Sequence, residues 1–175
     1  MATILITGGA GLVGNHLTKF LIEKGHKVRI LTRSAKQSKN RVDYYRWDVK
    51  HNEIDKNALL GIDSIIHLAG AGVADGTWND TYKKEIIDSR VDSIQLLLKK
   101  CKELKSFPKS VISASGTAFY GFDNSEKIYD ERAEAGKGFL TEVSEKWEKA
   151  SAGFEQHDVR RVIFRIGVVL SDKGG

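Results

Sequence analysis

The run Thr7-Gly8-Gly9-Ala10-Gly11-Leu12-Val13-Gly14 constrains this chain more than any other stretch. The short apolar, β-branched segment Ala2-Thr3-Ile4-Leu5-Ile6 leads into it, and a helical pattern leaves it. It satisfies G-x-G-x-x-G at Gly9, Gly11 and Gly14, and T-G-x-x-G-x-x-G with Gly8, Gly11 and Gly14. Glycine permits positive φ in a tight turn and lets backbone N–H groups approach a pyrophosphate with no Cβ in the way. It also lets a helix start close against a strand. Phosphates then rest on the positive end of that helix, where four backbone N–H groups lack partners. A glycine-rich turn that binds nothing also satisfies the bare motif, but its context argues otherwise. Leu12, Val13, Leu17, Phe20 and Leu21 mark one helix face, and a second strand, Val28–Leu31, follows Gly25-His26-Lys27. Strand, turn, helix and strand in that order predict a dinucleotide-binding unit.

The end of the second strand bears on which dinucleotide. An NAD site usually carries Asp or Glu there to bond the ribose 2′-hydroxyl. Here Thr32 is followed by Arg33. A guanidinium beside a small hydroxyl suits a 2′-phosphate, so NADP(H) is expected in preference to NAD(H). The plain alternative for Arg33 is an exposed loop cation. Lys36, in the polar stretch that follows, is a second cation placed to assist. Tyr44-Tyr45-Arg46-Trp47 predicts a third strand ending at Asp48-Val49. Asp48 there can accept from an adenine amino group while the Val49 N–H adds a contact; the alternative is a turn-forming Asp.

Residues 53–60 predict a short helix closed by Gly61. Ser64-Ile65-Ile66-His67-Leu68 is a fourth strand, almost wholly apolar, as a central parallel strand should be. It enters Ala69-Gly70-Ala71-Gly72, small enough to let ribose and pyrophosphate pass close. His67 is expected to pack rather than react. His16 and His26 have no partners at metal-ligand spacing, and no metal site is expected. A long helix spans about residues 81–105, with Ile86, Ile87, Val91, Ile94, Leu97, Leu98, Cys101 and Leu104 at helical spacing. One stripe must pack on the sheet; a surplus apolar face would suit a partner helix and hence a homodimer.

Pro108 breaks the chain before a fifth strand, Ser110–Ser113. Ala114-Ser115-Gly116-Thr117 then places small hydroxyl residues where a substrate would meet the strand's carboxyl end. A second long helix, about residues 138–153, turns Phe139, Leu140, Val143, Trp147 and Ala150 inward, and residues 161–166 form a sixth strand. The whole predicts an α/β fold: a Rossmann-type doubly wound parallel sheet, strand order 3-2-1-4-5-6, with helices on both faces.

Composition narrows the class further. At 175 residues the chain suits one domain with a real core. Its 28 Lys and Arg against 23 Asp and Glu give a net charge of +5, but the lysines are mixed with glutamates along helices. That pattern reads as solvated helix faces, and no nucleic-acid partner is expected. No run approaches the roughly 18 apolar residues of a membrane span, so no membrane partner is expected either. The first strand begins by residue 3, so no signal or transit segment is expected. Cys101 is the only cysteine, and the thiol usage permits a reducing compartment; a cytoplasmic or other reducing intracellular location is expected.

Several motifs converge on one resemblance. T-G-G-A-G-L-V-G at Thr7–Gly14, H-L-A-G at His67–Gly70, S-A-S-G-T-A-F-Y-G at Ser113–Gly121 and R-I-G-V-V-L at Arg165–Leu170 resemble the extended short-chain dehydrogenase/reductase superfamily. Leu31-Thr32-Arg33, Asp88-Ser89-Arg90-Val91 and Phe139-Leu140 spaced from Trp147-Glu148 are similar to its atypical branch. These are the NAD(P)-dependent epimerase/dehydratase-like proteins sometimes labelled SulA-like. The resemblance implies an NADP(H) site made of Gly8, Gly11, Leu12, Val13, Thr32, Arg33, Asp48, Val49, Leu68, Ala69 and Gly70. Ser113 and Ala114 would line it near the nicotinamide.

Two departures accompany the resemblance. Typical members catalyse with Tyr-x-x-x-Lys on the helix after the fifth strand. Aligned on Trp147-Glu148, the tyrosine place falls near Leu140 and the lysine place near Ser144. Ser115 is the hydroxyl that best matches a catalytic position. Superfamily members also continue into a substrate-binding C-terminal domain, so residues 1–175 are expected to be the NAD(P)-binding domain alone. The leading expectation is an NADP(H)-binding oxidoreductase or epimerase-like protein acting on a small molecule. Its rival is a non-catalytic NADPH-binding sensor or interaction module.

Overall fold

The computed structural model describes residues 1–34, 37–38, 40–122 and 126–171. Lys36 lies outside the described residues. Strands β1 (Thr3–Thr7), β2 (Lys27–Thr32), β3 (Val42–Asp48), β4 (Glu53–Ile54), β5 (Ser64–His67), β6 (Ser110–Gly116) and β7 (Arg160–Ile166) form one sheet, ordered β4-β3-β2-β1-β5-β6-β7. All neighbours pair parallel except β4, which runs antiparallel to β3. Leaving β4 aside, the parallel strands stand in the order expected of a doubly wound sheet, reversing between β1 and β5.

Helices cover both faces because the strands are apolar on both. Ile4 and Ile6 of β1 join Val28, Ile30 and Val42 in a cluster capped by Leu17, Leu21 and Ile22 of α1 (Leu12–Glu23). Leu5, between them, points the other way. It joins Leu31, Ile65 and Val111 under Ile94, Leu97 and Cys101 of α2 (Asp80–Leu104), with Phe154 beyond α3 (Phe139–Ser151). Alternation at a period of two puts consecutive β1 residues into separate cores. Burial in the second core pushes the Cys101 thiol up to about 12, which leaves it an inert apolar side chain. No helix among the described residues is long and apolar enough to cross a membrane.

Three local expectations differ from what forms. Residues 53–60 are not a helix. Asn52 takes a positive φ of 57° and its N–H returns to the Val49 carbonyl, so the chain doubles back. Ile54 then pairs with Trp47, and a single 3-10 turn at Lys56–Ala58 follows, capped by the Asp55 carboxylate.

α1 buries only part of the stripe drawn from its apolar residues: Leu17 and Leu21 pack on the sheet, but two others do not. Val13 and Phe20 are 38% and 53% exposed, whereas Gly14 and Thr18 are buried. Close approach at Gly14 sets the helix's rotation: a Cβ there would stand 2.3 Å from the Gly8 carbonyl oxygen. The Gly14–Thr18 face must therefore meet the sheet, and the Thr18 hydroxyl, donating to the Gly14 carbonyl at 2.7 Å, tolerates that burial.

β6 also runs further than its apolar core suggests, through Gly116. Ala114, Ser115 and Gly116 pair with Phe164, Arg165 and Ile166 of β7. Ser115, expected beyond the strand, is therefore inside it, while Thr117 lies past its end in a 3-10 turn, Thr117–Tyr120.

Candidate functional site

The glycine corner opens at the carboxyl edge of β1, where the strand order reverses. Gly8 has φ +70°, and a Cβ on it would meet the Leu68 carbonyl group at 2.8 Å. A Cβ on Gly9 would press Ile30 at 2.9 Å. Gly11 is different. A Cβ there would only touch the Gly8 oxygen at 3.4 Å, so packing does not demand glycine at that position. Its residue is the N-cap of α1, extended at φ −74°, and no side chain caps the helix. The first turn carries no acidic residue. The backbone N–H groups of Leu12 and Val13 belong to that uncapped turn and have no carbonyl four residues back within the helix. A bare backbone, a positive helix end and no competing carboxylate are what a pyrophosphate requires. The side chains of Leu12 and Val13 instead line a shallow apolar groove on the outer flank of α1 with His16, Leu17, Phe20 and Val169. That groove is apolar apart from His16 and Ser171.

The opposite lip of the crevice is Leu68-Ala69-Gly70, just past β5. It is tied to β1 by Thr7, whose buried Oγ1 accepts from the N–H groups of both Leu68 and Ala69 at 3.2 Å. Sequence reasoning treated Thr7 only as a member of the glycine motif. A buried hydroxyl ending an apolar strand is the signal that could have found it.

Thr32 ends β2, and Arg33 follows it, exposed. β2 pairs with β1, Leu31 opposite Thr7, so Arg33 stands one strand aside from the glycine corner on the same sheet edge. The Thr32 Oγ1 accepts from the Ser34 N–H at 3.3 Å, which shapes the turn that presents Arg33. Asp48 ends β3 on the same edge, with half-buried Val49 after it. Its carboxylate takes the His51 ring nitrogen at 2.8 Å and the His51 backbone N–H at 3.2 Å. The His51 ring bond holds this carboxyl below the usual carboxylate range. The turn-forming role is thus filled, by a half-buried carboxylate.

The β6 hydroxyls face inward. Ser113 is fully buried and donates to the Ala114 carbonyl at 3.1 Å. Ser115 donates to Glu148 Oε1 at 2.7 Å. Glu148 in turn receives the Nε/Nη2 edge of Arg165, Nε to Oε1 at 2.9 Å and Nη2 to Oε2 at 3.0 Å. That carboxylate raises the guanidinium's pKa, and Arg165 Nη1 also donates to the Tyr120 hydroxyl at 3.0 Å. Ser115, Glu148 and Arg165 therefore clamp β6, α3 and β7 together. The Ser115 proton is committed to Glu148, which leaves its oxygen able to accept rather than donate.

At the place of the usual Tyr-x-x-x-Lys pair, α3 carries Leu140 and buried Ser144, and the serine donates to the Leu140 carbonyl at 2.9 Å. Thr141 donates to the Ala118 carbonyl at 2.8 Å. No phenol or ammonium of this helix's first turn substitutes for the missing pair.

Behind this face, His67 is fully buried. It accepts from the Trp147 indole N–H at Nδ1, 3.1 Å away, so its proton sits on Nε2 and goes to Ser93 Oγ at 2.8 Å. Desolvation, with a smaller push from the Arg90 charge, lowers its pKa to about 3. The ring is a neutral strut between β5, α2 and α3.

Residues 4–139 match the model of the NAD dependent epimerase/dehydratase family. The chain is 32% identical over 172 residues to the Epimerase family protein YfhF of Bacillus subtilis, covering 98% of this chain and 56% of that protein. It is 33% identical over 175 residues to the human Epimerase family protein SDR39U1, with 98% and 56% covered. It thus spans just over half the length of the curated relatives it matches. Among solved structures, a nucleoside-diphosphate sugar epimerase from Corynebacterium glutamicum superposes with a TM-score of 0.80 at 37% identity, covering 99% of this chain and 35% of that one. The human SDR39U1 protein with NADPH superposes at 0.77 and 29% identity, covering 99% and 56%.

Proposed function

The chain belongs to the NAD dependent epimerase/dehydratase family, and from that membership we propose that it binds NADP(H) as the cofactor domain of an oxidoreductase or epimerase-like protein. The observation that carries the choice of NADP(H) is Arg33. It stands exposed directly after Thr32, at the strand end where an NAD site places a carboxylate. The glycine corner supports the pyrophosphate's place, since a Cβ at Gly8 or Gly14 would collide with backbone and the helix end beside them carries no cap. The human relative solved with NADPH is consistent with this preference.

In this reading the N–H groups of Leu12 and Val13 hold the pyrophosphate and Arg33 holds the 2′-phosphate. Asp48 and Val49 meet the adenine, and Leu68, Ala69 and Gly70 line the ribose path toward the carboxyl end of β6; Ser113, fully buried, does not itself line it. The nicotinamide supplies the hydride chemistry when bound. The substrate class is a small molecule with a carbonyl or secondary hydroxyl; with its proton committed to Glu148, the Ser115 oxygen accepts from the hydroxyl form and does not protonate the carbonyl form.

A second reading, a non-catalytic NADPH-binding module, is favoured by Leu140 and Ser144 at the usual acid/base positions and by the commitment of Ser115 to Glu148. One pair of measurements tests both. Thermal shifts with NADPH against NADH test the cofactor: equal shifts, or stabilisation by NADH alone, reject the Arg33 argument. Stopped-flow oxidation of bound NADPH across a carbonyl panel tests turnover, and a hydride transferred to any member rejects the non-catalytic module.

A further inference from the structure

Arg90 and Arg165 are partly buried arginines near the carboxyl edge of the sheet, and they are partnered differently. Arg165 has its Nε/Nη2 edge filled by Glu148. Arg90 has no acid: among the described residues no ion pair includes it. Its Nη1 donates to the carbonyls of Ala71 at 3.0 Å and Ile86 at 2.8 Å. The guanidinium lies 5.0 Å from the centre of the Trp147 ring. Gly70 makes room for it, since a Cβ there would stand 2.8 Å from the guanidinium carbon. The Gly70-Ala71 loop is latched to the same helix by the Ala71 N–H, which donates to Ser89 Oγ at 2.9 Å. The group is therefore held in one place from three sides.

What remains is its other edge. Nε and Nη2 make no hydrogen bond among the described residues, yet neither is shut off from solvent. Two parallel N–H groups on a fixed planar fork match the two oxygens of a carboxylate or a phosphate. A partly desolvated cation without counter-charge is unfavourable until an anion completes it. Burial lowers the Arg90 pKa from the usual guanidinium value. The position matters equally, because Gly70 belongs to the crevice lip opposite the glycine corner.

We propose that the Nε/Nη2 edge of Arg90 is an anion-recognition site that takes an oxyanion, carboxylate or phosphate, of a molecule bound in the crevice. The inference rests on reading the crevice as a nicotinamide dinucleotide site. Two molecules could bring the oxyanion: the cofactor, through its own phosphates, or an acidic substrate lying beyond it. The Ala71 and Ile86 carbonyls on Nη1, with the Trp147 ring 5.0 Å away, hold the guanidinium in place for either.

The test is ¹⁵N-edited NMR of the arginine Nε–H groups in the 175-residue chain, titrated with sodium acetate or inorganic phosphate, with and without saturating NADPH. The expected result is a saturable shift of the Arg90 resonance. Arg90→Lys, which keeps the charge and loses the fork, should weaken the anion response at least about tenfold, read from backbone amides around Gly70 and Ala71. A shift by acetate that persists with NADPH bound assigns the oxyanion to a substrate. A shift by NADPH itself that blocks acetate, with a weaker NADPH Kd in Arg90→Lys, assigns it to the cofactor. An Arg90 resonance that none of the three anions moves, while NADPH binds the lysine variant with unchanged Kd, overturns the proposal and leaves the cofactor reading standing. Absence of any NADPH binding overturns the cofactor reading instead, and a saturable acetate response in that case still supports the fork.

Discussion

The indole N–H of Trp147 donates to Nδ1 of His67 at 3.1 Å across 80 residues of sequence. This bond fixes the imidazole as a neutral acceptor on one side and a donor to Ser93 on the other. A proton added at Nδ1 would face the indole N–H, with burial and the Arg90 guanidinium also opposing the charge.

The pH dependence of folding should follow from that strut. Above pH 6.5 the ring is neutral in both folded and unfolded chains and contributes no slope. Below 6.5 the unfolded chain takes up a proton that the folded chain refuses until about pH 3. Stability therefore falls as pH drops through this window, by at most about 1.4 kcal/mol per unit from this group. Denaturation midpoints of wild type and His67→Gln, measured from pH 7 to 4, should converge as the pH falls. An NMR titration showing His67 protonating between pH 6 and 7 would refute the assignment.

Gly14→Ala should damage fold and site together. The added methyl would sit 2.3 Å from the Gly8 carbonyl oxygen, and that neighbour is backbone, which cannot rotate away. We expect a loss of about 2–3 kcal/mol, read by urea unfolding, and NADPH affinity falling with it. Gly11→Ala meets only ordinary contact and should cost far less stability. Equal losses for the two variants would contradict the packing argument.

Arg33→Ala separates the two dinucleotides. Removing a charged partner of the 2′-phosphate should weaken NADPH by roughly 10- to 100-fold and leave NADH nearly unchanged, by calorimetry or fluorescence quenching. Ligand at 100 times its Kd stabilises by about 2.7 kcal/mol, so wild type should gain several degrees of Tm with NADPH and lose most of that gain in the variant. An unaltered preference would place the 2′-phosphate elsewhere.

The Glu148–Arg165 fork gives a comparison of single and double substitution. Glu148→Leu strands a guanidinium whose side chain is 18% exposed, and should cost about 3 kcal/mol. Glu148→Leu combined with Arg165→Met removes both charges and should cost less than the single change. Chemical denaturation of the two proteins decides it: a double variant less stable than the single would show that the pair itself stabilises the fold.

The sequence disclosed what local chemistry dictates. Apolar strands of four to seven residues, a glycine corner between strand and helix, and the long apolar stripe of α2 are contiguous signals, and the sheet order followed from their alternation. It was blind where two distant residues compete for one group. Ser115 reads as a free hydroxyl until Glu148, 33 positions on, takes its proton. The stripe on α1 misled because hydrophobicity counts Phe20 and Val13, while the contact that sets the helix's rotation is made by a residue with no side chain. Residues 53–60 misled because one positive φ at Asn52 outweighs a weak helical propensity. Arg90 was legible only as part of a family-like string; its uncompensated charge appears once α2, α3 and the Gly70 loop are folded together.

Thr7 carries a consequence for selectivity. One oxygen accepting two N–H groups from the opposite lip sets the spacing of the jaws before any guest arrives. A mouth already at its working width loses little conformational freedom on closing around a ligand, so general affinity is built into the innermost strand. Discrimination between guests is then left to the periphery, to residues such as Arg33 that touch only one end of the molecule. A lineage could exchange one dinucleotide for another at that rim while leaving the jaw untouched, and Thr7→Val, which removes the shared acceptor, should blunt the binding of every dinucleotide alike.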